Sequence, residues 1–186
     1  MKKILSLICI VAALALGQSA PACVGKTLYI GVTGAPNELL FAEMISVLVN
    51  ERTGTSVKIK TFRDAGEMYA AVKRGEVGVF VEEPGRALKM LARPAEGNAK
   101  AAYDNVRKES RKSLNLVWLE PFGVKQYYAP VLSLETIGNL PALPKLLNKL
   151  GGVVNDDGCA RLLRSARGEE QMRKSARDFL KSRKLI

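Results

Sequence analysis

Two carboxylates stand side by side at Glu82 and Glu83, directly after the apolar run Val77 to Val81 and directly before Pro84 and Gly85. Adjacent acids at the end of a buried strand either line a surface that attracts a cation or serve the helix that follows. In the second case Glu83 sits at the N-cap, and each charge favours the positive helix end by about 0.3–1 kcal/mol. Two other places offer polar and aromatic groups: the loop Thr33 to Glu38, which includes Pro36 and Asn37, and the stretch Glu120 to Tyr128, which holds Gln126, Tyr127 and Tyr128. Catalysis has little to draw on, because the chain has no histidine, and histidine is the commonest general base and the commonest metal ligand. No Gly-rich phosphate loop, nucleophile elbow or metal-ligand cluster replaces it. The sequence is therefore not read as an enzyme, and no catalytic residue, metal or cofactor is expected.

Those candidates matter only if the fold brings them together. From Thr27 the chain alternates short β-rich runs with longer helical ones, the pattern of an α/β layer fold with a mainly parallel sheet. TLYIGV, 27–32, predicts a buried strand, and NELLFAEMISVLVNERTG predicts a helix with Leu39, Leu40, Met44, Val47 and Leu48 inward and a stop at Gly54. SVKIKTF, 56–62, alternates as a second strand, and Asp64 with Glu67 forms a capping box for a helix that ends before Gly75. Val77 to Val81 is the third strand, with Pro84 in the first turn of the next helix. A helix over about 95–112, strands over 114–121 and 128–132, and helical segments starting near Leu134, Asn155 and Glu169 complete the pass. Trp118 reads as core, with Leu114 and Leu116 on its face, against the alternative of a wall for a bound cation, and Phe62, Phe80 and Phe179 likewise read as core. In such sheets ligands sit beyond the carboxyl ends of the strands, which is where the three candidate segments fall.

The N-terminus predicts export. Lys2 and Lys3 precede the uncharged apolar run Ile4 to Leu16, and Ala20-Pro21-Ala22 suits cleavage, so residues 1–22 read as a signal peptide and 23–186 as one mature domain. The formal charge of +11, less the two charges of Lys2 and Lys3, leaves +9, concentrated in Arg107 to Lys112 and the last twenty or so residues. Such a surplus suits nucleic acid, an anionic membrane surface or plain solvation. Export and the lack of any recognition motif argue against nucleic acid. Cleavage also removes Cys9, leaving Cys23 and Cys159. In an oxidising compartment the pair is a disulfide candidate, worth about 3–5 kcal/mol over so long a loop; the rivals are lipid anchoring through Cys23 and two free thiols.

In order and spacing, IGVTGAPNELLFAEM, ERTGTSVKIKTF, AVKRGEVGVFVEEPGRAL and NLVWLEPFGVKQYYA resemble the first lobe of the glycine betaine and osmoprotectant substrate-binding proteins of ABC transporters. NLPALPKLLNKLGGVVNDDGCARLL and SARDFLKSRKLI resemble the C-terminal part of that family. The resemblance implies a three-layer α/β sandwich like one lobe of a type 2 periplasmic binding protein. It also implies departures. Family members trap the ligand between two lobes, whereas here LEPFGVKQYYA passes within a few residues into APVLSLETIGNLPAL, so the second lobe is missing. Where the family's third loop reads like Y-P-E-Y-T-G, this chain has Phe80-Val81-Glu82-Glu83-Pro84-Gly85.

The resemblance implies a periplasmic capture domain for a small zwitterionic or cationic solute such as a quaternary amine, delivering to an ABC transporter membrane subunit. Thr33, Pro36, Asn37, Glu38, Glu82, Glu83, Gln126, Tyr127 and Tyr128 would form the ligand site. A quaternary cation donates no N–H bond, so aromatic faces are its natural walls. The alternative is a lobe of the cell envelope that has lost solute binding and uses the exposed cleft face as an interface for a protein partner or a second copy of itself.

Overall fold

The computed structural model describes residues 27–166 and 168–186. The predicted signal segment 1–22 and Cys23 lie outside the described residues.

Strand β1 (Leu28–Val32) leads through Thr33 to Ala35 into α1 (Pro36–Thr53), which opens with proline at its first position and stops at Gly54, φ 69°. After β2 (Val57–Thr61) comes α2 (Ala65–Lys73). Asp64 caps α2 by accepting from the Glu67 N–H at 2.9 Å, and the Glu67 carboxylate reaches back to the N–H of Arg63 at 3.1 Å. Two orphan donors are thus satisfied reciprocally, one residue earlier than in the usual box. Strand β3 (Val79–Glu82) runs straight into α3 (Pro84–Met90). Glu83 holds the N-cap position as the spacing predicts, but its side chain makes no cap hydrogen bond.

Helix α4 (Ala99–Ser113) starts four residues later than the sequence suggests, because Asn98 accepts from the N–H groups of Lys100 and Ala101 and sets the cap there. Strand β4 (Leu116–Trp118) and strand β5 (Ala129–Ser133) follow. The chain closes with α5 (Leu134–Asn139), α6 (Leu143–Leu147) running into a 3₁₀ turn, α7 (Asp156–Ser165) and α8 (Glu169–Ser182).

The strands form one sheet in the order β2-β1-β3-β5-β4. The first three pair in parallel, but β5 runs antiparallel to both β3 and β4, so the sheet is mixed. Side chains alternate across it: Leu28, Ile30, Val32, Val79, Val81 and Leu132 face one core, while Phe80, Val131, Leu116 and Trp118 face the other. Helices α1, α6, α7 and α8 cover the first face and α2, α3 and α4 the second, the three layers of an α/β sandwich. Helix α1 lies between the sheet and α8, which is why Leu40 to Val49 are buried almost all round, beyond the predicted Leu40, Met44, Val47 and Leu48, while Leu39, also predicted inward, is only half-buried. Arg173 pairs with Glu43 and Arg177 with Glu51, fastening α8 to it.

Three core assignments change. Leu114 is the C-cap of α4 and 39% exposed, so only Leu116 shares the buried face of Trp118. Phe62 and Phe179 are half-buried at the margins of the two cores. The predicted strand 114–121 shrinks because its second half leaves the sheet: the carbonyls of Pro121 and Phe122 accept from Gly152 and Val154, and Phe122 donates to Tyr128. With Tyr127 donating to Val124, the segment between β4 and β5 closes as a hairpin at the place where two-lobed members of the resembled family cross to their second lobe, in keeping with the direct return the sequence suggests.

Candidate functional site

The carboxyl ends of β1 and β3 and the amino end of β5 share one edge of the sheet, because β5 is reversed. Thr33 leaves β1 at this edge. Glu38, in the first turn of α1, is fully buried and accepts from the Thr33 backbone N–H at 2.6 Å and from its hydroxyl at 2.9 Å. Glu82, the last residue of β3, is also fully buried, and its Oε1 accepts from the Glu83 N–H at 2.8 Å.

Arg86 joins the two. It stands one turn along from Glu82 on α3, so its Nε reaches Glu82 Oε1 while its Nη1 donates to Glu38 and, at 2.9 Å, to the Thr33 hydroxyl. One guanidinium, with its side chain 21% exposed, thereby ties β1, α1, β3 and α3 together. The sequence reasoning passed over Arg86. Its signal was the Glu82-x-x-x-Arg86 spacing, which places acid and base on neighbouring turns.

The charges do not balance. Two carboxylates share one guanidinium, and Glu82 Oε2 has no hydrogen-bond partner among the described residues. Burial, opposed by the attraction of Arg86, pushes the Glu82 carboxyl up to about 7. Burial also works against the Arg86 charge, but the carboxylates outweigh it and hold that group above its ordinary value. On α2, burial and then the neighbouring Glu82 carboxylate hold the Tyr69 phenol well above the usual range. Tyr128 is raised too, by burial first and then by Glu83 and Glu38, so its ring lies within reach of the same negative charge.

The other predicted residues scatter around this cluster. Pro36 and Gln126 are exposed, and Glu83 is half-buried. Asn37 turns toward α7, where Cys159 Sγ donates to its Oδ1 at 3.6 Å. Cys159 is buried and, among the described residues, without a disulfide partner, and burial pushes its thiol up; the expected pairing with Cys23 is not shown, since Cys23 lies outside the described residues. Tyr128 is buried against Phe41, which stacks on Phe122 with ring centroids 4.2 Å apart. Tyr127 takes φ 56°, leans on Tyr103 at 5.8 Å and stays half-exposed. It borders an open groove of about 480 Å³ that Glu120, Lys125 and Asn148 also line. Trp118 is 1% exposed and donates to Ser110 Oγ at 3.2 Å, inside the second core and away from this edge. Among the described residues no group of His, Cys, Asp or Glu side chains could hold a metal ion, and no helix is long and apolar enough to cross a membrane.

Residues 26–146 match the family described as the substrate binding domain of ABC-type glycine betaine transport systems. The chain belongs to this family. Solved structures share the fold of this betaine-type domain. A glycine betaine/carnitine/choline ABC transporter structure superimposes with a TM-score of 0.76 at 13% identity, covering 86% of this chain and 98% of its own. Apo YehZ from Escherichia coli gives 0.75 at 12%, covering 87% and 100%. A choline binding protein of an ABC transporter, solved with choline, gives 0.52 at 11%, covering 85% and 89%. No curated protein sequence matches the chain. The match speaks for a solute-binding protein; a homodimer or protein-partner module finds no support in it.

Proposed function

We propose that this domain is exported to the periplasm and captures a small quaternary amine, cationic or zwitterionic, for an ABC transporter membrane subunit. The reading rests on one observation: in a chain of the betaine-type family, the sheet edge at which open α/β sheets take ligands carries excess negative charge. Glu38 and Glu82 face a single guanidinium, and the half-buried Glu83 adds a third carboxylate close to Tyr128. A quaternary cation forms no N–H hydrogen bond, so negative potential and aromatic faces are what can hold it.

Glu38 and Glu82 are fully buried and engaged by Arg86, so in this reading they set the potential from below. Thr33, Glu83, Gln126 and Tyr127 would meet the solute at the surface, with Pro36 and Asn37 on the rim. Calorimetric titration of the protein with choline and glycine betaine tests it. Saturable binding, weakened at least fivefold by Glu83→Ala or Tyr127→Ala, is the expected result. Silence with both ligands from folded protein overturns the proposal.

A further inference from the structure

The Glu38–Arg86–Glu82 cluster holds more negative charge than its partners neutralise, with both carboxylates out of contact with water and only the guanidinium partly open to it. Both carboxylates are fully buried, Arg86 spends Nε on one and Nη1 on the other, and Glu82 Oε2 is left without a donor. A buried acceptor without a donor is costly, and there are two ways to relieve the cost. A proton on Glu82 turns the orphaned oxygen into a donor; the Tyr69 hydroxyl lies near the carboxylate but makes no hydrogen bond to Oε2. A cation arriving at the sheet edge instead stabilises the ionised form from above.

We infer that Glu82 is a proton-binding site coupled to ligand capture, at which a proton and a bound cation compete for the negative charge that Arg86 leaves uncompensated. The inference rests on the solute-binding reading above. The charged and titratable groups around Glu82 come from every element packed on it: Glu38 of α1, Tyr69 of α2, Glu83 and Arg86 at the start of α3, and Tyr128 ahead of β5. Arg86 is the only cation among them and stays charged throughout. Glu82 alone combines complete burial with an unpartnered oxygen, and burial pushes it into the neutral range.

The coupling has a definite sign. As pH rises through neutrality Glu82 loses its proton, the edge becomes more negative, and affinity for a cation increases. Choline is expected to bind about tenfold more tightly at pH 8.5 than at pH 5.5, the factor that one pKa unit of coupling corresponds to, and Glu82→Gln should remove the difference. The proton site itself can be followed without any ligand or mutation, because the Glu83 N–H donates to Glu82 Oε1 and its ¹⁵N and ¹H shifts report that carboxylate.

The experiment is therefore an NMR titration of the Glu83 amide from pH 5 to 9, paired with choline calorimetry at both ends of that range. A Glu83 amide midpoint near neutrality together with pH-dependent choline affinity supports the inference. An amide that titrates with an ordinary carboxylate midpoint overturns it. A neutral midpoint with choline affinity independent of pH overturns the coupling while solute binding stands. A neutral midpoint with no choline binding at either pH overturns the solute-binding reading, and the coupling with it, while the proton site survives.

Discussion

Replacing Arg86 by glutamine removes the one positive charge that compensates two fully buried carboxylates. Breaking a buried ion pair by deleting one partner typically costs 3–5 kcal/mol, because the surviving charge stays in low dielectric without its counter-ion. Here each carboxylate keeps something: Glu38 retains both bonds from Thr33, and Glu82 retains the Glu83 N–H. Arg86 is also partly open to water, at 21%, so the expected loss lies near the lower end, about 3 kcal/mol at pH 8. With a urea m-value of about 2 kcal/mol/M, the denaturation midpoint should fall by roughly 1.5 M with m unchanged. At pH 5.5 the loss should shrink, since Glu82 takes up a proton and no longer needs the guanidinium. Adding Glu82→Gln to Arg86→Gln should recover part of the loss, giving a coupling energy of about 1 kcal/mol or more in a double-mutant cycle. A cost below about 1 kcal/mol, the range of an exposed pair, or a cost indifferent to pH, would refute the argument that this cluster is desolvated.

Further outcomes follow from the same geometry. Glu82 titrates at about 7 in the fold against an ordinary value of 4.5, so the folded protein holds the proton more tightly. Its contribution to stability should be complete below about pH 4.5 and be lost as pH rises through 7, by roughly 3 kcal/mol at most, and Glu82→Gln should remove this part of a urea stability profile. The lowered carboxylates of Asp64, Glu76 and Glu109 act on that profile in the opposite direction at acid pH. Gly123→Ala should destabilise by about 2–4 kcal/mol in the same assay. Gly123 takes φ 113°, and a Cβ there would meet the Val154 carbonyl at 2.5 Å. Trp118→Ala should cost about 3–5 kcal/mol of stability, while leaving choline affinity in calorimetry unchanged, because the indole lies in the second core.

Much of the frame was legible because local signals and tertiary packing agree. β1, β2 and β3 are short β-rich runs whose ends are marked by turn residues, and Gly54 and Asp64 stop and start helices by backbone conformation and capping alone. The failures fall where a distant segment decides. Leu119 to Pro121 read as a continuation of β4, yet the 150s loop takes the hydrogen bonds of Pro121 and Phe122, a pairing set by a segment about thirty residues away. Helix α6 is five residues long with proline at its start, below what periodicity can detect. The three loops of the candidate site were found because a sheet edge gathers its loops whatever they contain. Arg86 carried a local signal in its spacing from Glu82, but its role in joining two elements depends on Glu38, 48 residues away in sequence.

The hairpin between β4 and β5 also bears on how this architecture can be altered. Val124 and Tyr127 are joined by a hydrogen bond, and the strands they connect are neighbours in the sheet. The chain therefore departs and returns at almost the same point. A second folded unit whose own termini lie close together could be spliced in at the exposed Lys125 and Gln126 without stretching a strand or moving a helix, as domain insertions at exposed turns generally allow. In that sense the lobe is a socket. Its five-stranded sheet is complete without an insert, and an insert grafted there would leave from the end of the sheet at which β5 begins beside Glu82.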